Sequence, residues 1–248
     1  MKTVFGALIV AVAVSAVAWV TLDAPVADSE DAKDDRDIVV LLHGLGRTET
    51  AMWRLADRLE DGGYRVERIG YHSLRDTPEE ILEDIGRQID ACCIGASPKL
   101  HFVGHSLGGL LIRAYLTDHD IANLGRVVLI ASPSTGSEMV DNLRHRWWFQ
   151  VLGPMAQTLG TDGGSFPKTI GPPDYPLGVI AGKTTGNDNE DLLPGDDDGL
   201  VSVESTKVAG MTDFVVVDSS HWALRYDETA ARHVLNFLET GQFDRSIP

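Results

Sequence analysis

The sequence predicts an α/β fold in which a mostly parallel central sheet carries helices on both faces. Short apolar runs alternate with stretches of helical periodicity from Ile38 onwards, and this alternation is typical of parallel sheets. The first run, residues 38–42, is continuous and β-branched, as expected of a strand that is buried on both faces. No internal repeat is visible, so residues 38–248 are expected to form one domain.

The remaining elements are predicted in chain order from their apolar faces and their end signals. A helix over about 49–60 carries apolar residues on one face and ends at paired glycines, and a strand follows at 64–69. Thr77 begins the next helix, because a first-turn proline and a capping-box glutamate, Glu80, follow it. The later strands are predicted at 100–103, 127–130, 177–181 and 214–217, with helices over 106–117 and about 228–239.

Residues 132–176, here called the insertion, break this alternation. The segment contains the aromatic run 145–149 and then a glycine- and proline-rich stretch at 160–176. A long excursion inside an α/β unit is often a lid or a binding loop, which predicts a short lid-like element here. The alternative is that the aromatic side chains simply cover the edge of the sheet, and the periodicity is compatible with both.

Charge and cysteine content exclude several classes of function. The chain has 37 acidic and 21 basic residues and a formal charge of −16, so binding to nucleic acid through phosphate neutralisation is not expected. The two cysteines, Cys92 and Cys93, are adjacent, which excludes a framework of disulfides, and we interpret them as small residues of a helix. No spaced set of Cys and His residues suggests structural zinc.

The N-terminal segment predicts delivery to a membrane. Residues 4–20 carry no charge, and such a stretch is typical of a long signal-peptide core or a short membrane anchor. The small residues at 16–18 favour cleavage, whereas Trp19 favours an uncleaved anchor. Residues 1–22 are therefore predicted to be a signal peptide or an anchor, and residues 23–37 an acidic, solvated linker. The protein is expected to be membrane-anchored and to face the periplasm or exterior, or to be secreted or periplasmic after cleavage.

Two glycine-rich motifs follow predicted strands and indicate nucleophilic catalysis. The run 104–108, GHSLG, matches G-x-S-x-G between a strand and a helix, a sharp turn that lifts Ser106 above the sheet as a nucleophile. The run 43–46, HGLG, follows the first strand, and its glycines let backbone amides point into a site. The N–H groups of Leu45 and Leu107 are therefore candidate oxyanion-hole donors. The alternative for the HGLG run is an ordinary strand-to-helix turn with a buried histidine.

Candidates for the base and the acid of such a site also follow predicted strands. A serine nucleophile needs a base that is itself oriented by a carboxylate. His221 lies directly after the sixth strand, where a base reaches over the carboxyl edge of the sheet. The acid is expected between the serine and the histidine, and Asp198 is the first choice because glycine and an apolar pair follow it. Asp196 and Asp197 are interpreted as a solvated acidic edge, and Asp218 as the start of the histidine loop.

These motifs resemble those of the α/β-hydrolase superfamily, and more narrowly of its bacterial lipases and esterases, over about residues 38–240. HGLG, GHSLGG, DGLVSVES and SSHW match that group's oxyanion loop, nucleophile turn, acid loop and histidine loop in order. The resemblance implies Ser106 as the nucleophile, Asp198 as the acid, His221 as the base, and Leu45 and Leu107 as the oxyanion donors. It implies no cofactor. Calcium-dependent members have an aspartate two residues after the histidine, where this chain has Ala223, and the acidic run 188–198 matches no EF-hand loop, so no metal site is expected.

Together these features predict a membrane-associated serine hydrolase that cleaves carboxylic esters of small molecules or lipids through an acyl-enzyme on Ser106. Acyl transfer and thioester cleavage are alternatives, because the same triad serves them and the acceptor depends on the shape of the pocket. An inactive α/β-hydrolase fold that acts as a tethered binding protein is the alternative from another class. The complete set of serine, acid and histidine argues against inactivity.

Overall fold

The described residues form one six-stranded sheet in which every neighbouring pair of strands is parallel. The computed structural model describes residues 35–95, 98–184 and 192–247. The strands are β1 (Ile38–Leu42), β2 (Arg65–Ile69), β3 (Leu100–His105), β4 (Leu124–Ile130), β5 (Leu177–Lys183) and β6 (Asp213–Asp218). Their order across the sheet is β2-β1-β3-β4-β5-β6. The predicted fold class is confirmed, and the sheet of the described residues is wholly parallel.

The direction in which strands are added reverses between β1 and β3. The chain places β2 on one side of β1 and then crosses to β3 on the other side, after which β4, β5 and β6 follow in order. In open parallel sheets, ligand sites lie at the carboxyl ends of the strands beside such a reversal. The two glycine-rich motifs follow β1 and β3, so both lie at this point of the sheet.

Helices cover both faces of the sheet, as predicted. They are α1 (Trp53–Asp61), α2 (Pro78–Cys92), α3 (Leu107–Asp118), α4 (Glu138–Leu143), α5 (Gly153–Gln157), α6 (Phe166–Thr169), α7 (Val203–Thr206) and α8 (Glu228–Thr240), with 3-10 helices at Glu49–Met52 and Trp147–Leu152. Successive side chains of a strand point to opposite faces. Val40 of β1 accordingly belongs to one buried apolar cluster with Ile85 of α2, and its neighbour Leu41 belongs to another with Leu55 of α1 and Val234 of α8.

The start of α2 follows from local sequence, whereas its end does not. At its start the Thr77 hydroxyl accepts a hydrogen bond from the Glu80 N–H at 3.3 Å, and the Glu80 carboxylate accepts one from the Thr77 N–H at 2.9 Å, which is the predicted capping box. At its end, the interpretation of Cys92 and Cys93 as simple small helix residues is wrong, because a disulfide joins them. The helix ends at Cys92, and Cys93 departs from helical geometry with φ −130° and ψ −30°.

The insertion folds into short helices and turns between β4 and β5. It contains α4, α5, α6 and the 3-10 helix at Trp147–Leu152, which carries most of its aromatic residues. The predicted signal peptide or anchor at 1–22 and most of the predicted linker at 23–37 lie outside the described residues. Among residues 35–95, 98–184 and 192–247, no helix is long and apolar enough to cross a membrane.

Candidate active site

Ser106 lies on a sharp turn between β3 and α3. Its backbone has φ 56° and ψ −121°, a left-handed conformation that a residue other than glycine rarely adopts. Glycines make the turn possible, because a Cβ at Gly104 would lie 2.5 Å from the Gly108 carbonyl carbon, and one at Gly108 would lie 2.3 Å from the Leu42 oxygen. The strained backbone therefore holds the Ser106 hydroxyl at the carboxyl edge of the sheet.

A chain of two hydrogen bonds connects Ser106 to His221 and Asp198. The Oγ of Ser106 lies 3.1 Å from Nε2 of His221, and Nδ1 of His221 lies 2.8 Å from Oδ2 of Asp198. His221 and Asp198 are each 1% exposed, whereas Ser106 is half-buried. The structure thus brings together the three residues that the sequence nominated as nucleophile, base and acid, and leaves only the serine open to a substrate.

The loop after β5 fixes the carboxylate of Asp198. Its Oδ1 accepts hydrogen bonds from the N–H groups of Leu200 at 3.0 Å and Val201 at 2.8 Å, so Oδ2 is the oxygen that faces the imidazole. The backbone N–H of His221 also donates to the Asp198 carbonyl at 2.9 Å. Because an ionised carboxylate only accepts, Nδ1 of His221 carries the proton and Nε2 is free to accept one.

The neighbouring aspartates have other roles. Asp196 is exposed and pairs with Lys183 at 2.9 Å, as expected of a solvated acidic edge. The same interpretation of Asp197 is wrong, since its side chain is 3% exposed and accepts a hydrogen bond from the Gly199 N–H at 2.7 Å. A turn that bridges back to Ser202 buries this carboxylate and supplies its donor. In the described part of the chain, no group of three His, Cys, Asp or Glu residues is placed to hold a metal ion.

The HGLG run lies directly against the nucleophile turn. A Cβ at Gly44 would lie 3.2 Å from both Nδ1 of His105 and Cβ of Ser106. Leu107 is the first residue of α3, and first-turn N–H groups have no partner within their own helix. The N–H groups of Leu45 and Leu107 make no hydrogen bond with the described residues, which leaves both available at the site. The expected buried histidine is present as well, because His43 is fully buried and stacks on Tyr71 with a ring separation of 4.0 Å.

His105 is a residue of the site that sequence reasoning passed over. Its Nε2 lies 2.9 Å from the backbone carbonyl of His221, and their rings are 4.9 Å apart. Burial lowers the pKa of His105 well below its ordinary value, and the nearby His221, Arg225 and Arg47 lower it further. A neutral His105 donates from Nε2 to this carbonyl and so fixes the loop that carries His221. Its place inside the GHSLG motif was a signal, but nothing in the sequence says which loop it contacts.

Ser106 opens into an apolar cavity of about 450 Å³, here called the Ser106 cavity. Leu45, Leu107 and Trp222 line it from the sheet side. The residues of the insertion that line the opposite wall are Pro133, Ser137, Met139, Val140, Leu143, Trp148, Phe149, Leu152 and Leu159. The insertion is therefore a wall of the cavity and more than a cover for the sheet edge. Trp147, by contrast, is 84% exposed and does not line the cavity.

Known proteins share this architecture. A family model described as "Alpha/beta hydrolase family" matches residues 39–232. A comparison with curated protein sequences found no significant match. Among solved structures, the mature lipase BlEst2 of Bacillus licheniformis is 17% identical with a TM-score of 0.63, over 84% of this chain and 92% of that one.

Two further structures extend the comparison. Phospholipase PlaB of Legionella pneumophila is 16% identical with a TM-score of 0.55, over 69% of this chain and 45% of that one. A lipase-esterase related protein from Clostridium acetobutylicum is 15% identical with a TM-score of 0.53, over 83% of this chain and 95% of that one. At these identities the likeness is one of fold.

Proposed function

The chain belongs to the alpha/beta hydrolase family, and from that premise we propose that it is a serine hydrolase that cleaves carboxylic esters through an acyl-enzyme on Ser106. The observation that carries the proposal is the hydrogen-bonded chain from Asp198 through His221 to Ser106, which lines an apolar cavity. A hydroxyl is a weak nucleophile by itself, and this arrangement supplies the base that activates it.

The first half of the reaction forms the acyl-enzyme. Nε2 of His221 accepts the proton of Ser106 as its Oγ attacks the ester carbonyl, and the buried Asp198 carboxylate stabilises the resulting imidazolium. The carbonyl oxygen becomes an oxyanion, which we assign to the N–H groups of Leu45 and Leu107. Donors fixed where negative charge develops are each worth about 10²–10³ in rate. His221 then gives its proton to the departing alcohol.

The second half returns the enzyme to its starting state. Water loses a proton to His221 as it attacks the acyl carbonyl, and the carboxylic acid leaves when the proton passes back to Ser106. No cofactor takes part in these steps. The apolar wall that the insertion supplies fits the hydrocarbon part of an ester.

The location and substrate source that we propose rest on sequence alone. The uncharged N-terminal residues 4–20 favour a protein held at a membrane or exported across it, and both places give access to lipid esters. A small-molecule ester in the periplasm or exterior would fit the same cavity.

Hydrolysis of 4-nitrophenyl esters from acetyl to palmitoyl by the full chain tests the proposal. We expect Ser106→Ala to lower kcat by about 10⁴-fold or more, because the nucleophile is lost. Ser246→Ala is the matched control, since Ser246 is exposed and follows Arg245, which pairs with Asp213 at the amino end of β6, the opposite edge of the sheet. A Ser106→Ala protein that retains full activity would refute the acyl-enzyme on this residue.

Two further readouts separate the alternatives. A fluorophosphonate probe should label the wild-type chain and not the Ser106→Ala variant, and absence of labelling would favour the inactive binding protein. When alcohols that could accept the acyl group are added, the free acid should still be the main product. A predominant transfer product would instead identify an acyltransferase.

A further inference from the structure

Two arginines flank Trp222 at the mouth of the Ser106 cavity. The Cζ atom of Arg47 lies 4.7 Å from the centre of the Trp222 ring, and that of Arg225 lies 5.8 Å from the same ring and 4.5 Å from the ring of Tyr226. Arg225 lies shortly after the proposed base, His221, and Arg47 directly follows the HGLG run, so both charges are close in the chain to residues of the site. Arg47 and Trp222 line the cavity itself.

Beside this mouth lies a second, open depression, here called the Arg47 depression. Gly46 and Arg47 line both the depression and the Ser106 cavity, so the two adjoin. The other residues that line it are Thr48, Thr50, Ala51, Trp53, Arg225 and Tyr226. None of these carries a carboxylate. Glu49 lies between Thr48 and Thr50 in the chain, but it does not line the depression, and its carboxylate packs against Gly70.

No described carboxylate neutralises either guanidinium. Arg225 is only 8% exposed, and its Nε and Nη1 are buried without a hydrogen-bond partner. Among residues 35–95, 98–184 and 192–247, no carboxylate forms an ion pair with Arg225 or Arg47. A buried charge without a partner is costly, and the faces of two aromatic rings offset only part of that cost.

The two positive charges also act on the catalytic centre. Arg225 and Arg47 are both among the causes that lower the pKa of the buried His105, whose imidazole packs beside that of His221. They therefore lie within electrostatic reach of the reacting atoms. In a chain with a formal charge of −16, two neighbouring cations beside the cavity are a local exception to the overall charge.

From these observations we infer that the Arg47 depression is an anion subsite, and that the preferred substrates are esters whose alcohol portion bears a phosphate or carboxylate group. This inference rests on the proposed function. In this inference the acyl chain occupies the apolar cavity and the alcohol portion lies towards Arg47 and Trp222, which line the same cavity as Ser106. An anionic group on that portion would meet guanidinium groups that form no ion pair with the described residues, and charge-assisted hydrogen bonds are the stronger kind.

A matched pair of soluble esters tests the subsite. Octanoylglycerol and octanoylglycerol phosphate carry the same acyl chain and differ in the charge of the alcohol portion. At concentrations below micelle formation we expect kcat/KM of the wild-type chain to favour the phosphate ester by about tenfold or more. Added salt should reduce this preference, because screening weakens contacts between partly exposed charges.

Arg47→Gln should reduce the preference for the phosphate ester about tenfold, because it removes one of the two cations. Arg54→Gln is the matched control. Arg54 is also exposed and also stacks on a tryptophan, Trp53, at 4.7 Å, but it lines neither the cavity nor the depression. The control should therefore keep the wild-type ratio. Equal use of the two esters by the wild-type chain, both in free solution and in vesicles, would overturn the anion subsite and leave the serine hydrolase proposal intact.

A binding measurement separates failure of the subsite from failure of the proposed function. Glycerol phosphate should raise the melting temperature of the Ser106→Ala chain, and Arg47→Gln in the same background should abolish that shift. If this shift were seen while the wild-type chain hydrolysed no ester, the result would support the subsite and overturn the proposed reaction. The absence of any Arg47-dependent shift, together with equal rates on both esters, would overturn the subsite.

The form in which the substrate is supplied distinguishes a soluble ester from a lipid headgroup as the source of the anion. Preference for the phosphate ester in free solution would indicate a soluble ester, whereas preference only in vesicles of neutral lipid that contain it would indicate a lipid headgroup. Both outcomes support the subsite. A carboxylate analogue, octanoyl glycerate, shows whether the subsite distinguishes the two kinds of anion.

Discussion

The two sides of the Ser106 cavity hold their residues in place by different forces. On the sheet side, Ser106, His221, Asp198 and His105 are linked by hydrogen bonds of 2.8 to 3.1 Å. On the insertion side, the wall consists mainly of apolar side chains such as Met139, Val140 and Leu159. Hydrogen bonds require a particular atom at a particular position, whereas apolar contacts require chiefly that volume be filled.

This difference separates reaction from substrate choice. A changed atom on the sheet side removes a proton acceptor or donor, so the rate should collapse for every substrate. A changed volume on the insertion side leaves the proton path in place and alters the space for the acyl chain, so rates should change selectively. Substitutions on the two sides therefore test whether the division holds.

Asp198→Asn should have the largest effect on the sheet side, with kcat lower by about 10⁴-fold for all esters. The N–H groups of Leu200 and Val201 bind one side-chain oxygen, so an asparagine would keep its oxygen there and turn its amide towards His221. The amide donates to Nδ1 and forces the proton onto Nε2, which can then no longer accept the Ser106 proton. Rates on acetyl and octanoyl nitrophenyl esters measure the effect.

Asp196→Asn provides the control for this prediction. Asp196 is exposed in the same loop and pairs with Lys183 at the surface, so the rate should stay within about twofold of wild type. A comparable loss of rate in both variants would show that charge in the loop, and not the orientation of His221, matters.

Leu143→Trp should have a smaller and selective effect on the insertion side. Leu143 ends α4, is partly exposed and lines the Ser106 cavity, so a larger ring there takes up space in which an acyl chain would lie. We expect the ratio of kcat/KM for palmitoyl to that for acetyl esters to fall about 10-fold to 100-fold, because several methylene groups lose their burial at about 0.8 kcal/mol each.

Val151→Trp is the matched control within the insertion. Val151 is 72% exposed and does not line the cavity, so the chain-length ratio should remain that of wild type. An equal loss for short and long esters in Leu143→Trp would contradict the division between the two sides of the cavity.

The same difference explains what the sequence could predict. Ser106, His221 and Asp198 were identifiable because each follows a strand within a motif that the backbone requires, such as the glycines that allow the turn at Ser106. The wall residues were not identifiable, since many apolar residues satisfy such a wall and only the path of the insertion selects Met139 or Leu159. The burial of Asp197 and the Cys92–Cys93 bond were missed because both depend on backbone turns that residue types alone do not specify.

The smallest effect that we expect is on the stability of the sheet side at acid pH. Burial lowers the pKa of His105 well below the ordinary 6.5, so below about pH 6.5 the unfolded chain takes up a proton that the folded chain does not. The stabilisation is complete above pH 6.5 and is lost as the pH falls towards the folded pKa. Between pH 7.5 and 5.5 this amounts to at most about 1.4 kcal/mol of unfolding free energy.

His105→Asn should therefore show a smaller loss of unfolding free energy between these pH values than the wild-type chain, as measured by urea denaturation. The matched control is His145→Gln, because His145 is exposed on the insertion. It should keep the wild-type pH dependence, because the substitution leaves the buried His105 in place. If His105→Asn kept the full wild-type dependence, the acid sensitivity would belong to other groups, and the sheet side of the cavity would not be the part of the molecule that resists protonation.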